Sequence, residues 1–583
     1  MNRHLQHFKL FISCIVVFII TYWYLSYYRN MLYSLSADEG IFLYGAKRVL
    51  DGQIIYRDFF SYFFPGNYYM LALIYKVFGY SFLVARETLI VIDSLINVLV
   101  FYISYRTLKS WYAVLPPLFY LILGFPNWMQ FSHFWTGDLF LLLSLIFLLW
   151  YLEDRKRYFM YGSALLLGFT TLFQQAAGLY GVIIFTVILL LTRHCGIERM
   201  LPKNADSYAA ESRHSREDGN PVFNNTDKNF FWIPTFVGMT DNRRSLLNKS
   251  TFKDSGGIRS TKFIKNLIWF FIVAALPLII TFGYITVQGG LGDFIRQQLF
   301  IVLKVYPNVA AFSPFLFIFN KAYPFNILIG IYFFGSIAAG ILLVAFHKRV
   351  SSTVIITIAG NLILLLTISY SLDLEHIATA MPLFLMLVLL PVKYALSYAK
   401  EHKRNFFKPL YYVSGIAGMC LLAWGGSSIF SNIKRIETRS YPININGTKL
   451  WTFDEQKAEH IQSFLNNVPS ILQDHRDVFV YPYAPLIYVM MHYSNPTRYD
   501  FIYIQLGIQG ANAYVLRDIM NELQRRHVDY LIKHGWPQRY TRMLMSLKHI
   551  TPYPNVLDEF VASHYTTLWT NDGYSILKLK PAS

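Results

Sequence analysis

Residues 8–28 read FKLFISCIVVFIITYWYLSYY, with Lys9 at the edge as the sole charge. An α-helix needs about 20 mostly apolar residues to cross a bilayer core. The run is too long and too aromatic for a signal-peptide core, and no small-residue cleavage site follows it. It therefore predicts a retained transmembrane helix. Arg3, His4 and Lys9 at its start put the N-terminal side in the cytoplasm. The chain that follows residue 28 then begins on the outer face.

Working outward, further apolar runs lie at 82–105, 112–126, 138–151, 159–173, 177–193, 264–283, 325–346, 353–371, 377–396 and 409–430. Together they predict an α-helical polytopic membrane protein with about eleven spans. The basic clusters test that count. Arg106/Lys109, Arg155-Lys156-Arg157, Arg193 onward, Lys348-Arg349 and Lys400/Lys403/Arg404/Lys408 all fall on the inner side. The assignment requires 66–79, short for a span, to lie flat at the outer interface.

Composition agrees. The chain is 54% hydrophobic and 15% charged, whereas soluble domains carry roughly 25% charged residues. The net charge of +18 sits in short clusters between apolar runs, which marks it as topogenic rather than directed at nucleic acid. Cys14 and Cys420 lie inside apolar runs and Cys195 ends one, so no disulfide framework is indicated. A soluble enzyme, a nucleic-acid binder and a small secreted domain are excluded.

The expected domains are an N-terminal transmembrane half at 1–193 with an outer loop at 29–81, an inner insertion at 194–263, a second transmembrane half at 264–430, and an outer tail at 431–583. The tail reads as a small periplasmic α/β domain of about 140 residues. Alternating stretches at 477–481 and 528–532 predict strands, with helices at 453–468 and 514–527. Asn446-Gly-Thr448 matches a glycosylation triplet that is common by chance. The insertion has no helical or strand period, and its 212–245 core resembles translated dispersed repeats of bacterial genomes. Disorder is expected there, a regulatory loop being the alternative.

The outer loop contains Ser36-Ala-Asp38-Glu39-Gly-Ile-Phe-Leu-Tyr-Gly-Ala-Lys-Arg-Val-Leu-Asp51-Gly52. Ile41, Gly45 and Val49 share one apolar face with Phe42 and Ala46, predicting a helix lying on the membrane surface. Ser36-x-x-Glu39 is a capping box, which explains Glu39 without chemistry. Asp38 is not needed for the box and can face a substrate. Asp58 follows in Tyr56-Arg57-Asp58, ahead of Phe64-Pro65-Gly66.

This ordered series continues with a Pro-led helix ending in Phe78-Gly79 and with Ala85-Arg86 opening the next span. Thr136-Gly137-Asp138 and Asp373-Leu-Glu375-His376 with Pro382 stand at other outer helix ends, and Val480-Tyr481-Pro482-Tyr483 and Asn495-Pro-Thr497 lie in the tail. The series resembles the C-type, membrane-embedded glycosyltransferases of the protein mannosyltransferase and aminoarabinose transferase superfamily, over nearly the whole chain except 194–263. The resemblance implies an inverting enzyme of the bacterial inner membrane. Such an enzyme takes a sugar from a polyprenyl-phosphate donor and hands it to a lipid, glycan or protein acceptor on the outer face. It implies Asp38 as the base, with Glu39 beside it. Asp58, Arg86, Asp138, Arg296, Lys304, Asp373 and His376 are the candidate substrate-binding residues. Related enzymes often carry a lysine where this chain has Phe173-Gln174-Gln175, so phosphate binding falls to Arg86, Arg296, Lys304 or His376.

Each candidate also has an ordinary reading: an interfacial anchor for Arg86, surface charges for Arg296 and Lys304, a helix cap for Asp138, and a histidine bonded to Asp373 for His376. Asp93, in mid-span, is expected to be paired inside the bundle. No cofactor is expected; a divalent cation is unsupported, since Asp373-x-x-His376 supplies too few ligands. The rival functions are a transporter or lipid flippase, a polysaccharide polymerase or ligase, and a non-catalytic scaffold. Transporters concentrate ionisable groups near the midplane and often show repeats, whereas these acids gather at outer helix ends.

Overall fold

The computed structural model describes residues 3–35, 38–124, 126, 128–194, 255–300, 330, 332, 334–338, 341, 351–368, 374–387, 389–390, 408–502, 512–535 and 556–581. Of the 194–263 insertion, where disorder is expected, 195–254 lie outside them, whereas 255–263 open a helix. The chain divides into two compact units, Met1–Phe185 with Ile272–Ser583, and Thr186–Phe271.

The helices begin with α1 (Arg3–Ser26), α2 (Glu39–Leu50), α3 (Gly66–Phe78) and α4 (Phe82–Leu108). A short apolar segment α5 (Trp111–Gly124) passes through 3-10, α and π pitch in turn. Then come α6 (His133–Asp154), α7 (Arg157–Phe173), α8 (Gln175–His194), α9 (Ser255–Val287), α10 (Leu291–Phe300), α11 (Ser352–Ile368), α12 (Leu374–Ala380) and α13 (Lys408–Arg439). Six helices among the described residues are long and apolar enough to cross a membrane: His4–Ser26, Phe82–Leu108, His133–Asp154, Gln175–Thr192, Phe263–Val287 and Gly415–Arg439. The molecule is a multi-pass membrane protein. Among the described residues, six of the eleven expected spans stand as helices of that length. Segments 112–126 and 353–371 form short apolar helices, 159–173 belongs to a 17-residue helix, and 325–346 and 377–396 fall largely outside the described residues.

Helix ends follow local chemistry. Ser81 accepts from the Leu83 N–H at 3.1 Å and Ser132 from the Phe134 N–H at 3.4 Å, capping α4 and α6. Those helices close at Lys109 and Arg155, both left-handed. Between α1 and α4, Asn97 donates to Thr21 at 2.8 Å, a polar contact buried among apolar side chains.

After α13 the chain alternates strand and helix: β1 (Tyr441–Ile445), β2 (Thr448–Thr452), α14 (Glu455–Leu472), β3 (Val478–Tyr481), α15 (Leu486–Met491), α16 (Asn512–Arg525), β4 (Tyr530–His534), α17 (Val556–His564), β5 (Tyr565–Thr570) and β6 (Tyr574–Leu579). The main sheet runs β3-β4-β6-β5, with β3 and β4 parallel and the rest antiparallel. Every residue of β3 is buried, although the strand stands at the edge of this sheet. Asn446-Gly447 is the two-residue turn of the β1–β2 hairpin, both residues at positive φ.

Candidate functional site

The outer loop and the C-terminal strands and helices build one site together. Helix α2 does not lie on the surface with one apolar face down, as its sequence period predicts. Glu39 to Ala46 and Arg48 are all buried. Its small residues explain the difference. A Cβ on Gly40 would sit 2.3 Å from the Leu486 backbone nitrogen, and one on Gly45 would sit 2.4 Å from the Tyr68 ring. The two glycines therefore let α15 and α3 close on α2 from different sides.

Further contacts tie the loop to the tail. Tyr44 stacks on Tyr488 with ring centroids 4.5 Å apart, and its hydroxyl accepts the Asn495 N–H at 2.6 Å. Arg48 pairs with Asp500 at 2.5 Å and donates to the Thr497 carbonyl at 3.1 Å. Arg498 donates to the Tyr56 carbonyl at 2.8 Å. The Leu32 N–H donates to the Trp451 carbonyl at 2.8 Å, and the Trp451 N–H returns a bond to Asn30 at 3.0 Å.

The two adjacent acids at the start of α2 have different environments. Glu39 is fully enclosed: one oxygen accepts from Arg86 at 2.7 Å and the other from the Phe131 N–H at 3.1 Å. Arg86, likewise enclosed, also donates to the Met129 carbonyl. The capping-box reading of Glu39 is therefore replaced by a buried ion pair that joins α2 to α4 and to the segment before α6. Burial pushes the Glu39 carboxyl above its usual range, against the pull of Arg86. Asp38 is half-buried, and the Tyr483 hydroxyl donates to its Oδ1.

The other predicted residues have partners and surroundings of their own. Asp58 accepts from Arg57 and from the Ile54 N–H, at 2.8 Å and 2.7 Å. The Arg57 hydrogen bonds hold its carboxyl below the usual range. Asp138 is buried in α6, and neither carboxylate oxygen has a hydrogen-bond partner among the described residues. Beside it, Gln174 lies over Gly137, where a Cβ would meet its Oε1 at 2.5 Å, so the position expected to hold a lysine carries a neutral amide. Asp93 is buried in α4 and accepts from Tyr120 at 3.3 Å. Arg296 is exposed and lies 3.6 Å from Asp293. His376 packs against Trp128 and Phe134 at 5.4 and 5.2 Å. Lys304 and Asp373 lie outside the described residues.

Sequence reading missed His133, whose ring contacts Phe63 at 4.7 Å and Phe134 at 4.2 Å. Phe134 thus lies against two imidazoles. Tyr483 and the Arg48–Asp500 pair were missed as well. Tyr483 stood inside a quoted motif, but nothing in the sequence assigned it to Asp38. Among the described residues, no group of three or more His, Cys, Asp and Glu side chains is placed to hold a metal.

A helical bundle whose acid-bearing 29–81 loop packs against strands and helices near its C-terminal end is a fold with a solved counterpart. The particular similarity is to ArnT from Cupriavidus metallidurans, solved bound to undecaprenyl phosphate. The TM-score is 0.50 and the identity 11%, over 100% of this chain and 99% of that one. The Archaeoglobus fulgidus oligosaccharyltransferase, solved with zinc and sulfate, gives a TM-score of 0.44 and 13% identity over 96% of this chain and 72% of that one. No protein-family model matches the sequence, and no curated protein matches it.

Proposed function

We propose that this chain is an inverting glycosyltransferase that moves a sugar from a polyprenyl-phosphate carrier to an envelope acceptor, at the outer face of a bacterial inner membrane. In that reaction an acceptor hydroxyl attacks the anomeric carbon, the bond from that carbon to the phosphate oxygen breaks, and polyprenyl phosphate departs. The phosphate is already a good leaving group. The protein has chiefly to accept the acceptor's proton and stabilise the departing anion.

Asp38 is the base in this reading. The observation that carries it is the contrast between neighbours: Glu39 is enclosed with Arg86, whereas Asp38 stands half-buried at the helix start where an acceptor can reach it. Glu39 and Arg86 then act as struts of the loop rather than as groups that meet substrate. The phosphate falls to His376, with Lys304 and Arg296 as the basic groups to test beside it. The shared fold with a protein solved on undecaprenyl phosphate supports this donor class. No resident metal is assigned a step.

The test is turnover of synthetic undecaprenyl-phosphate sugars by the purified full chain in lipid nanodiscs, read as released undecaprenyl phosphate. Asp38→Asn should abolish release while leaving the fold intact. Undiminished release would sink the assignment, and movement of intact donor across the bilayer without cleavage would favour a flippase.

A further inference from the structure

Tyr483 lies between β3 and α15, in the part of the chain farthest in sequence from Asp38. Its side chain is 7% exposed. Its ring stands edge-on to Phe501 at 6.3 Å, and its hydroxyl donates to Asp38 Oδ1. The geometry is held from two sides. Gly40, two residues after Asp38, rests on the backbone of Leu486, three residues after Tyr483. Four residues further along α2 and two further along α15, Tyr44 stacks on Tyr488. The register of α2 against α15 therefore fixes where phenol meets carboxylate.

A general base must stand within about 2.6–3.2 Å of the atom whose proton it takes. The phenol occupies one of the hydrogen-bonding directions of the Asp38 carboxylate. We propose that Tyr483 is a positioning residue: the C-terminal segment lends a hydroxyl that keeps Asp38 ionised and aimed, and that the incoming acceptor hydroxyl displaces. This rests on the reading of Asp38 as the base. Tyr483 keeps its own proton throughout, and the proton Asp38 gains comes from the acceptor.

The charged neighbours on the packed elements are accounted for. On α2, Glu39 pairs with Arg86 of α4, Lys47 with Asp51, and Arg48 with Asp500. Helix α3 carries Lys76, which is exposed, and α15 carries no charged side chain. Tyr483 is a neutral donor, and its removal leaves those charged pairs in place.

The experiment follows the Asp38 carboxylate by infrared difference titration of the full chain in nanodiscs, its band assigned by loss in Asp38→Asn. Donation to the ionised form lowers a carboxyl pKa. Tyr483→Phe, which keeps the ring against Phe501, should therefore move the midpoint up by about 0.5–1 unit, the equivalent of one hydrogen bond. Fluorotyrosine at position 483, a stronger donor of the same shape, should move it down, and serves if the phenylalanine variant does not fold. Unmoved midpoints overturn the proposal. If Asp38→Asn is inactive and the midpoints do not move, the base assignment stands and Tyr483 loses its role; if Asp38→Asn keeps full turnover, both fall.

Discussion

Arg48 and Asp500 are 452 positions apart in the sequence and meet at 2.5 Å, both almost fully buried. Asn495 donates to the same Asp500 oxygen at 2.8 Å, and Gln53 accepts from Arg48 Nε at 2.7 Å. Removing one partner of such a pair strands the other charge and costs about 3–5 kcal/mol, whereas replacing both by apolar groups is often neutral. Arg48→Met should therefore destabilise by about that amount, and Arg48→Met with Asp500→Leu should recover most of it. Thermal unfolding of the detergent-solubilised chain measures both.

The neighbouring acids of α2 should separate cleanly. Asn at position 38 can still accept from Tyr483, so Asp38→Asn should lose turnover with little change in stability, within about 0.5 kcal/mol. Glu39→Gln leaves Arg86 charged and enclosed, and should cost several kcal/mol, about 3–5. Parallel melting curves and donor-cleavage assays on the two variants check the contrast. Equal stability losses would remove the distinction between base and strut.

Gly40→Ala puts a methyl 2.3 Å from the Leu486 nitrogen and 2.8 Å from its Cα. Backbone cannot move aside as a flexible side chain can, so the helices must part, at a cost of about 1–3 kcal/mol. Limited proteolysis should then release fragments of the 441–581 region faster than in the parent chain. Gly52→Ala, open in space but at φ +88, tests backbone strain alone and should not loosen that region.

Acid should loosen the main sheet before it reaches the helices. His534 is buried on β4, and burial, aided by the charge of Lys457, lowers its pKa to about 4. Its unfolded value is about 6.5. The depressed group contributes stability that is full above pH 6.5 and is lost as pH falls from there towards 4. Hydrogen exchange of β4 should accelerate across that window. His534→Gln, which does not titrate, should flatten the dependence; an unchanged profile in the variant would refute the assignment.

Much of the bundle was legible because bilayer crossing demands long apolar runs, and α1, α4, α6, α8, α9 and α13 carry them. Helix α2 was legible as a helix but not in its surroundings. Its apolar stripe suits a membrane surface as well as a buried groove, and only the partners at Leu486 and Tyr68 decide between them. Asp38 drew notice because a capping box leaves it over. Glu39 was misjudged because Arg86, the residue that enlists it, lies 47 positions away. Local spacing carries no information about such a partner. Tyr483 is a further case, 445 positions from the carboxylate it meets.

The bonds of Leu32 to Trp451, Arg48 to Asp500 and Asp38 to Tyr483 join an early-synthesised segment to one made several hundred residues later. The early loop lacks the groups that bury Arg48 and Glu39's helix until several hundred further residues have been made and inserted. During biogenesis it must wait, its apolar side chains uncovered, until those residues emerge. Such distant pairing is slow and leaves sticky surface exposed in the interim. A truncation within the tail therefore strips the loop of its partners as surely as a mutation in the loop itself.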